Sequence, residues 1–297
     1  MRKSNEYFPA GTKLTTLLIG FDSAWTPTNA GALVGVLRAR DGSYQELGLP
    51  LVASFEQAEA AILGWQRQHD PQSTIVLIDQ PTIVKNSAGQ RPVENLVASP
   101  VSLRYGGVQP AHTGRAEMFG SSAPVWRFLT RFGGAADPLS MQVGTQVFET
   151  YPVLAMIALA WTLSDPRLTG RLPKYNPERK TFLNSDWRHV CTLLGAALRE
   201  RHLNILVDWV EVAAHSTRQR KSDQDGLDAC LCLLVAMFLI EQKDCLMVGN
   251  LETGYMVVPH GQILFDELSA RCKSTGKESS AWVRPFKLAR DQNGIST

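Results

Sequence analysis

The chain has no CxxC pair. Its five cysteines, Cys191, Cys230, Cys232, Cys245 and Cys272, are odd in number and have no histidine at zinc-finger spacing. These spacings argue against a disulfide framework and a structural zinc site, and reduced, structural cysteines are expected. Long apolar runs are missing too. The longest, "LDACLCLLVAMFLI" from Leu227 to Ile240, falls short of the roughly 20 residues a bilayer span needs and begins beside acids, which suits a buried core helix. Behind Arg2 and Lys3 the stretch "SNEYFPAGTK" is not apolar, so no secretory signal is read, and a cytoplasmic protein with no membrane partner is expected. Charge bias is also absent. A net charge of +2 over 297 residues does not announce a nucleic-acid binder by bulk electrostatics, although it leaves room for a local basic groove. With 44% hydrophobic and 20% charged residues and no internal repeat, the composition is that of one large domain or two small ones.

What the chain does have is acids where apolar strands end. In "TTLLIGFDSAW", Thr15 to Trp25, residues Leu17, Leu18, Ile19 and Phe21 read as a strand covered on both faces, and the run stops on Asp22. A buried carboxylate is costly unless it meets a cation, a donor or a metal. Asp22 either caps the turn that follows or serves a site. The pattern repeats in "STIVLIDQP", which ends on Asp79, and in "TQVFETYP", which ends on Glu149 before Pro152 opens a helix.

Around these strands the organisation is α/β. "GALVGVLRAR" and "SYQELGLPLV" are joined by Asp41-Gly42, a hairpin signal, so three strands form an antiparallel meander. A helix follows, with Ser54 as N-cap and Phe55, Ala58, Ile62 and Trp65 at helical spacing. Residues 83–144 are rich in turn-formers and read as an insertion with one helix around Ala123 to Phe132. Helices at "SDWRHVCTLLGAALRERH" and "SDQDGLDACLCLLVAMFLIEQ" and short strands at "CLMVG" and "GYMVVP" complete the pattern, with a polar, loose tail from Lys273.

Ends of neighbouring parallel strands lie at one sheet edge, where ligands bind in open α/β folds. Asp225 and Asp228, three apart, share a helix face that continues through Cys232 and Val235, so Asp228 points along the buried stripe. Helix-dipole complementation accounts for Asp223 and Asp225 but poorly for Asp228. Gathered carboxylates repel unless a divalent cation neutralises them. Mg²⁺ or Mn²⁺ suits an all-oxygen donor set, with Asp22, Asp79 and Asp228 as metal ligands. Two such ions would support phosphodiester cleavage.

The ordered set "GFDSAW", "VLIDQP", "VFETYP", "LPKYN", "DQDGLDACLCLLVA" and "GYMVVP" resembles the predicted-nuclease family catalogued as domain of unknown function 429. The resemblance implies a ribonuclease H-like mixed sheet, an antiparallel three-strand meander plus parallel strands with flanking helices. The resemblance runs from about Leu17 to Pro259 and finds no motif in 83–144; a single domain at 13–262 is expected, with the insertion at about 83–144 and the polar tail at 273–297. It carries over Asp22, Asp79, Glu149, Asp225 and Asp228 as the acidic catalytic set. Glu149 could instead hold a lysine, and Lys174 in "KYN" is a candidate partner or a phosphate contact. Arg218, Arg220 and Lys221 form either a solvated loop or contacts to a nucleic-acid backbone. His112, in "QPAHTGR", is the one histidine read as an accessory group.

Three functions stay open at this level: a metal-dependent nuclease acting on nucleic acid, an ATP-dependent phosphotransferase of the actin and sugar-kinase type, and an inert binding module. The phosphotransferase wants a second phosphate-binding hairpin, and only one "GFDSAW"-like segment is present. Substrate type, mode of cleavage, and monomer or homodimer are left open.

Overall fold

The computed structural model describes residues 14–98, 108–138, 144–165 and 168–288. Strand β1 (Leu14–Asp22) pairs antiparallel with β2 (Gly31–Ala39), with Asp22 opposite Ala32. The third meander strand is broken in two, β3 (Tyr44–Glu46) and β4 (Leu51–Ala53), both paired to β2. The break falls where Gly48 takes a φ of +124° and Pro50 offers no N–H. Helix α1 (Phe55–His69) starts at the expected cap: the Ser54 hydroxyl accepts from the Gln57 N–H, and the Gln57 side chain accepts from the Ser54 N–H.

Strand β5 (Ser73–Ile78) then pairs parallel to β1, and β6 (Gly144–Glu149) parallel to β5. The sheet order is β3-β2-β1-β5-β6, with β4 also on β2. Between β5 and β6 lie α2 (Pro92–Val97), α3 (Ala116–Phe119) and α4 (Pro124–Arg131). Only α4 is expected from the sequence; residues 99–107 and 139–143 of the expected insertion lie outside the described residues.

After β6 come α5 (Pro152–Ala158), a small antiparallel pair β7 (Leu163–Asp165) and β8 (Leu168–Arg171), then α6 (Asn184–Arg199), α7 (Asn204–His215) and α8 (Lys221–Ile240). Strands β9 (Cys245–Asn250) and β10 (Gly254–Pro259) form a second sheet, and after α9 (Gln262–Ser274) and α10 (Ser279–Trp282) the chain returns as β11 (Val283–Phe286) against β9. The stretch from Lys273, expected as a loose tail, is therefore part of the fold through Phe286. Its polar surface conceals two anchors, Val283 and Phe286, buried beside β9. Residues 289–297 of that tail lie outside the described residues.

Alternation along the strands divides the core. Leu17, Ile19 and Phe21 join Val76, Ile78, Phe55, Ile62 and Phe128 on the α1 and α4 face. Leu18, Ile75 and Leu77 join the other core, built on α8 with α5, α6 and α7. Gly20 belongs to this second face by parity, and it is where α8 meets the sheet. A Cβ there would lie 2.0 Å from the Ala229 carbonyl oxygen and 2.4 Å from the Leu233 nitrogen. The missing side chain lets the helix backbone rest directly on β1, and this contact fixes the site. All five cysteines are buried and free, and no helix among the described residues is long and apolar enough to cross a membrane.

Candidate functional site

With α8 seated on Gly20, the geometry of the two elements brings the acids together. Asp22 stands two residues beyond Gly20 on the same face, an advance of about 7 Å along a strand. Asp225 stands four residues before Ala229 on α8, about 6 Å along a helix. The two steps match. Asp79 follows Ile78, whose partner on β1 is Phe21, and its N–H donates to the Phe21 carbonyl at 2.9 Å, so it is level with Asp22 on the neighbouring strand. Asp22, Asp79, Asp225 and Asp228 all line one cleft of about 840 Å³.

The acids are held against their own repulsion. Asp22, Asp225 and Asp228 are 8%, 7% and 6% exposed, and Asp79 is half-buried. Burial, then the charges of Asp228, Asp79 and Asp225, push the Asp22 carboxyl well above its ordinary value. Burial and the charges of Asp228 and Glu149 do the same to Asp79. Asp228 is pushed up to about 6 by burial, moderated by two donors. Tyr175 Oη donates to its Oδ1 at 2.5 Å and Gln224 Nε2 to its Oδ2 at 2.9 Å. Lys221 makes a short ion pair with Asp225. Burial works against the Lys221 ammonium, but the Asp225 hydrogen bond and the nearby acids raise its pKa overall, so it stays protonated.

Glu149 is built differently. Its register partner is Ile78, not Asp79, so it sits one residue short of the level of Asp22. Arg91, fully buried, grips it with two donors: Nη1 to Oε2 at 2.9 Å and Nη2 to Oε1 at 2.6 Å. The Thr82 N–H donates to Oε2 at 2.9 Å. Arg91 Nε also donates to Glu94 at 2.7 Å, and Glu94 accepts from the N–H groups of Arg91 and Ala111. Glu149 lines the cleft, but its carboxylate is occupied in tying the insertion to β6. Its expected cation is an arginine rather than Lys174.

A family model described as "Protein of unknown function (DUF429)" matches residues 20–252. The chain belongs to this family. No curated protein and no solved structure matches the chain. The DUF429 match takes in Asp22, Asp79, Glu149, Asp225 and Asp228, together with Arg91 and Tyr175, whereas β10, α9, α10 and β11 lie beyond it.

Within this DUF429 chain the other expected residues divide. Lys221 lines the cleft; Lys174, Arg218 and Arg220 are exposed and are not among its lining residues. His112 is half-buried, with Nδ1 unpartnered among the described residues, and does not line the cleft. Sequence reasoning missed Tyr175, the neighbour of Lys174, as well as Gln80, Gln224, Trp25 and Arg179, which line the cleft or bond its acids. The "KYN" motif drew attention to the wrong one of its residues: the tyrosine is buried and the lysine exposed. Among the described residues, no three His, Cys, Asp or Glu side chains stand close enough to hold a metal ion as placed. The chemistry of the donor set nevertheless suits a hard cation, since neither Cys nor His lines the cleft.

Proposed function

We propose that this protein is a metal-dependent nuclease of ribonuclease H-like architecture that hydrolyses phosphodiester bonds in nucleic acid. The observation that carries the reading is the set of mutually repelling carboxylates at Asp22 and Asp228, both buried, and at half-buried Asp79, opposed by the ammonium of Lys221. A protein keeps such an arrangement at a cost to stability, and perturbed carboxylates grouped in a cleft mark functional sites. The sheet adds support. An antiparallel meander followed by two parallel strands, with acids at the adjacent ends of β1 and β5 and on a helix across β1, is the arrangement expected of that fold.

Asp22, Asp79 and Asp228 would hold Mg²⁺ or Mn²⁺. When bound, the ion would neutralise the acids, polarise a phosphoryl oxygen and lower the pKa of a bound water. The chain's own groups do the positioning. Tyr175 and Gln224 each donate to one oxygen of Asp228 and fix its plane. Lys221 keeps Asp225 paired and places a positive charge in the cleft where an incoming phosphate would lie. The Arg91 network holds the insertion against the ends of β5 and β6 and so shapes the cleft.

The test is cleavage of single-stranded and duplex DNA, RNA, RNA–DNA hybrids and branched junctions, with Mg²⁺ and with Mn²⁺, by wild type, Asp22→Asn and Asp228→Asn. Cleavage by wild type that falls about 10²–10³-fold in each variant is the expected result. ATP hydrolysis dependent on Asp22, without cleavage of any strand, would replace this reading with a phosphotransferase. The absence of both activities would leave a binding module.

A further inference from the structure

The cleft is lined by two chemically different groups of residues outside its acids. The first comes from the turn after β1 and from the insertion. Trp25 has a φ of +60°, a left-handed backbone that a bulky residue rarely adopts. Its indole Nε1–H donates to the Asp79 carbonyl at 2.9 Å, and its ring meets Phe119 edge-on, with centroids 5.7 Å apart at 73°. The ring is thus clamped against the Asp79 backbone, half-buried and in the cleft lining with Met118. Next to it stands Gln80, fully buried, whose Oε1 accepts from the Ser23 hydroxyl while its Nε2 has no partner among the described residues. Thr26 Oγ1, in a residue 8% exposed, is unpartnered in the same way. Both residues line the cleft. A buried donor without an acceptor is costly, and a ligand that supplies the acceptor removes that cost.

The second group is cationic. Arg179 is exposed, lines the cleft, and has no side-chain hydrogen bond or ion pair among the described residues. It lies in the same segment as Tyr175, which bonds Asp228. Lys221 completes this group.

We infer that the cleft takes a single unpaired nucleotide unit, its base stacked on Trp25 with an acceptor edge toward Gln80 and Thr26, and its phosphate between the acids and Arg179. The inference rests on the nuclease reading for the role of the acids and names the substrate class as single-stranded nucleic acid. A planar group with hydrogen-bond acceptors at its edge matches the clamped indole and the Gln80 amide, unpartnered among the described residues, and an anion matches the exposed guanidinium of Arg179. A base in a duplex already has both faces stacked and its pairing edge used. It has no free face to offer Trp25 and no free edge to offer Gln80 and Thr26.

The experiment is fluorescence anisotropy with labelled ten-nucleotide DNA and RNA single strands, the matching duplexes, and single strands carrying abasic sites. The protein is the full chain carrying Asp22→Asn, so that cleavage does not interfere. Single strands are expected to bind at least about tenfold more tightly than duplexes, and abasic strands to lose about the same factor. Trp25→Ala on that background should weaken single-strand binding about tenfold and leave abasic strands unaffected, with Trp25→Phe restoring most of the loss. Arg179→Ala should weaken all strands alike and flatten the salt dependence by about one unit of slope. Equal affinity for single strands, duplexes and abasic strands overturns the proposal, and this comparison needs no Trp25 variant to fold. Trp25-dependent binding without cleavage by wild type would uphold this site and remove the nuclease reading. Duplex cleavage as fast as single-strand cleavage, unchanged by Trp25→Ala, would do the reverse.

Discussion

Two groups of buried carboxylates lie in the same cleft and are treated in opposite ways. Around Arg91, every carboxylate oxygen of Glu149 and Glu94 accepts a hydrogen bond, and one guanidinium spans both acids. Around Asp22, acids face acids, their pKa values rise, and the ammonium of Lys221 is itself committed to Asp225. The first group is a satisfied network that fastens the insertion to the sheet. The second is frustrated: its acids repel one another and are only partly paired, which is the kind of local conflict expected at a functional site.

The largest expected contrast is in activity. Asp22→Asn should lower strand cleavage about 10²–10³-fold while raising the melting temperature of metal-free protein, because it removes one of several repelling charges. Arg91→Met should do the opposite in kind. It leaves Glu149 and Glu94 buried without their cation and should cost about 3–5 kcal/mol of stability, read as a lower urea midpoint. If both variants moved stability in the same direction, the two groups would not differ as described. Next in size is Gly20→Ala, whose methyl would strike the α8 backbone. It should destabilise the protein by about 1–3 kcal/mol and weaken binding of Mg²⁺ or Mn²⁺ as well, since it moves Asp228 away from Asp22.

How far these groups could be read from sequence follows from the range of the interactions. The strand acids were legible because apolar runs ending in a charge are a local pattern, and the Asp225 and Asp228 spacing is a local helix property. The expected meander and parallel strands are present for the same reason. Glu149 looked like a third equivalent acid because its sequence context is the same; only the register, which pairs it with Ile78, shows that it is offset. Its partner Arg91 lies 58 residues away in a segment without apolar periodicity, so nothing local pointed to it. Gln80, Gln224 and Tyr175 are single polar residues that acquire meaning only when the cleft closes around them. The second sheet was missed as a unit because β11 returns to β9 from within a polar stretch.

A smaller effect concerns pH. The Asp228 carboxyl titrates at about 6 in the fold against an ordinary 3.8, and Asp22 and Asp79 are raised as well. Between the ordinary and raised values the folded protein binds more protons than the unfolded chain, so stability rises as pH falls through that window. Metal-free protein should therefore melt higher at pH 5 than at pH 7 in circular dichroism. A melting temperature that falls steadily from pH 7 to pH 5 would show that the cluster is not strained.

Asp22, Asp79 and Asp228 are distant in sequence and line one cleft, and we propose that they close on a hard cation there. Mn²⁺ titration followed by electron paramagnetic resonance, on wild type, Asp22→Asn and Asp228→Asn, tests it most directly. The account predicts saturable Mn²⁺ binding by wild type that is lost or weakened at least about tenfold in each variant, with all three proteins folded by circular dichroism. Equal Mn²⁺ binding by all three, or none by wild type, would contradict it.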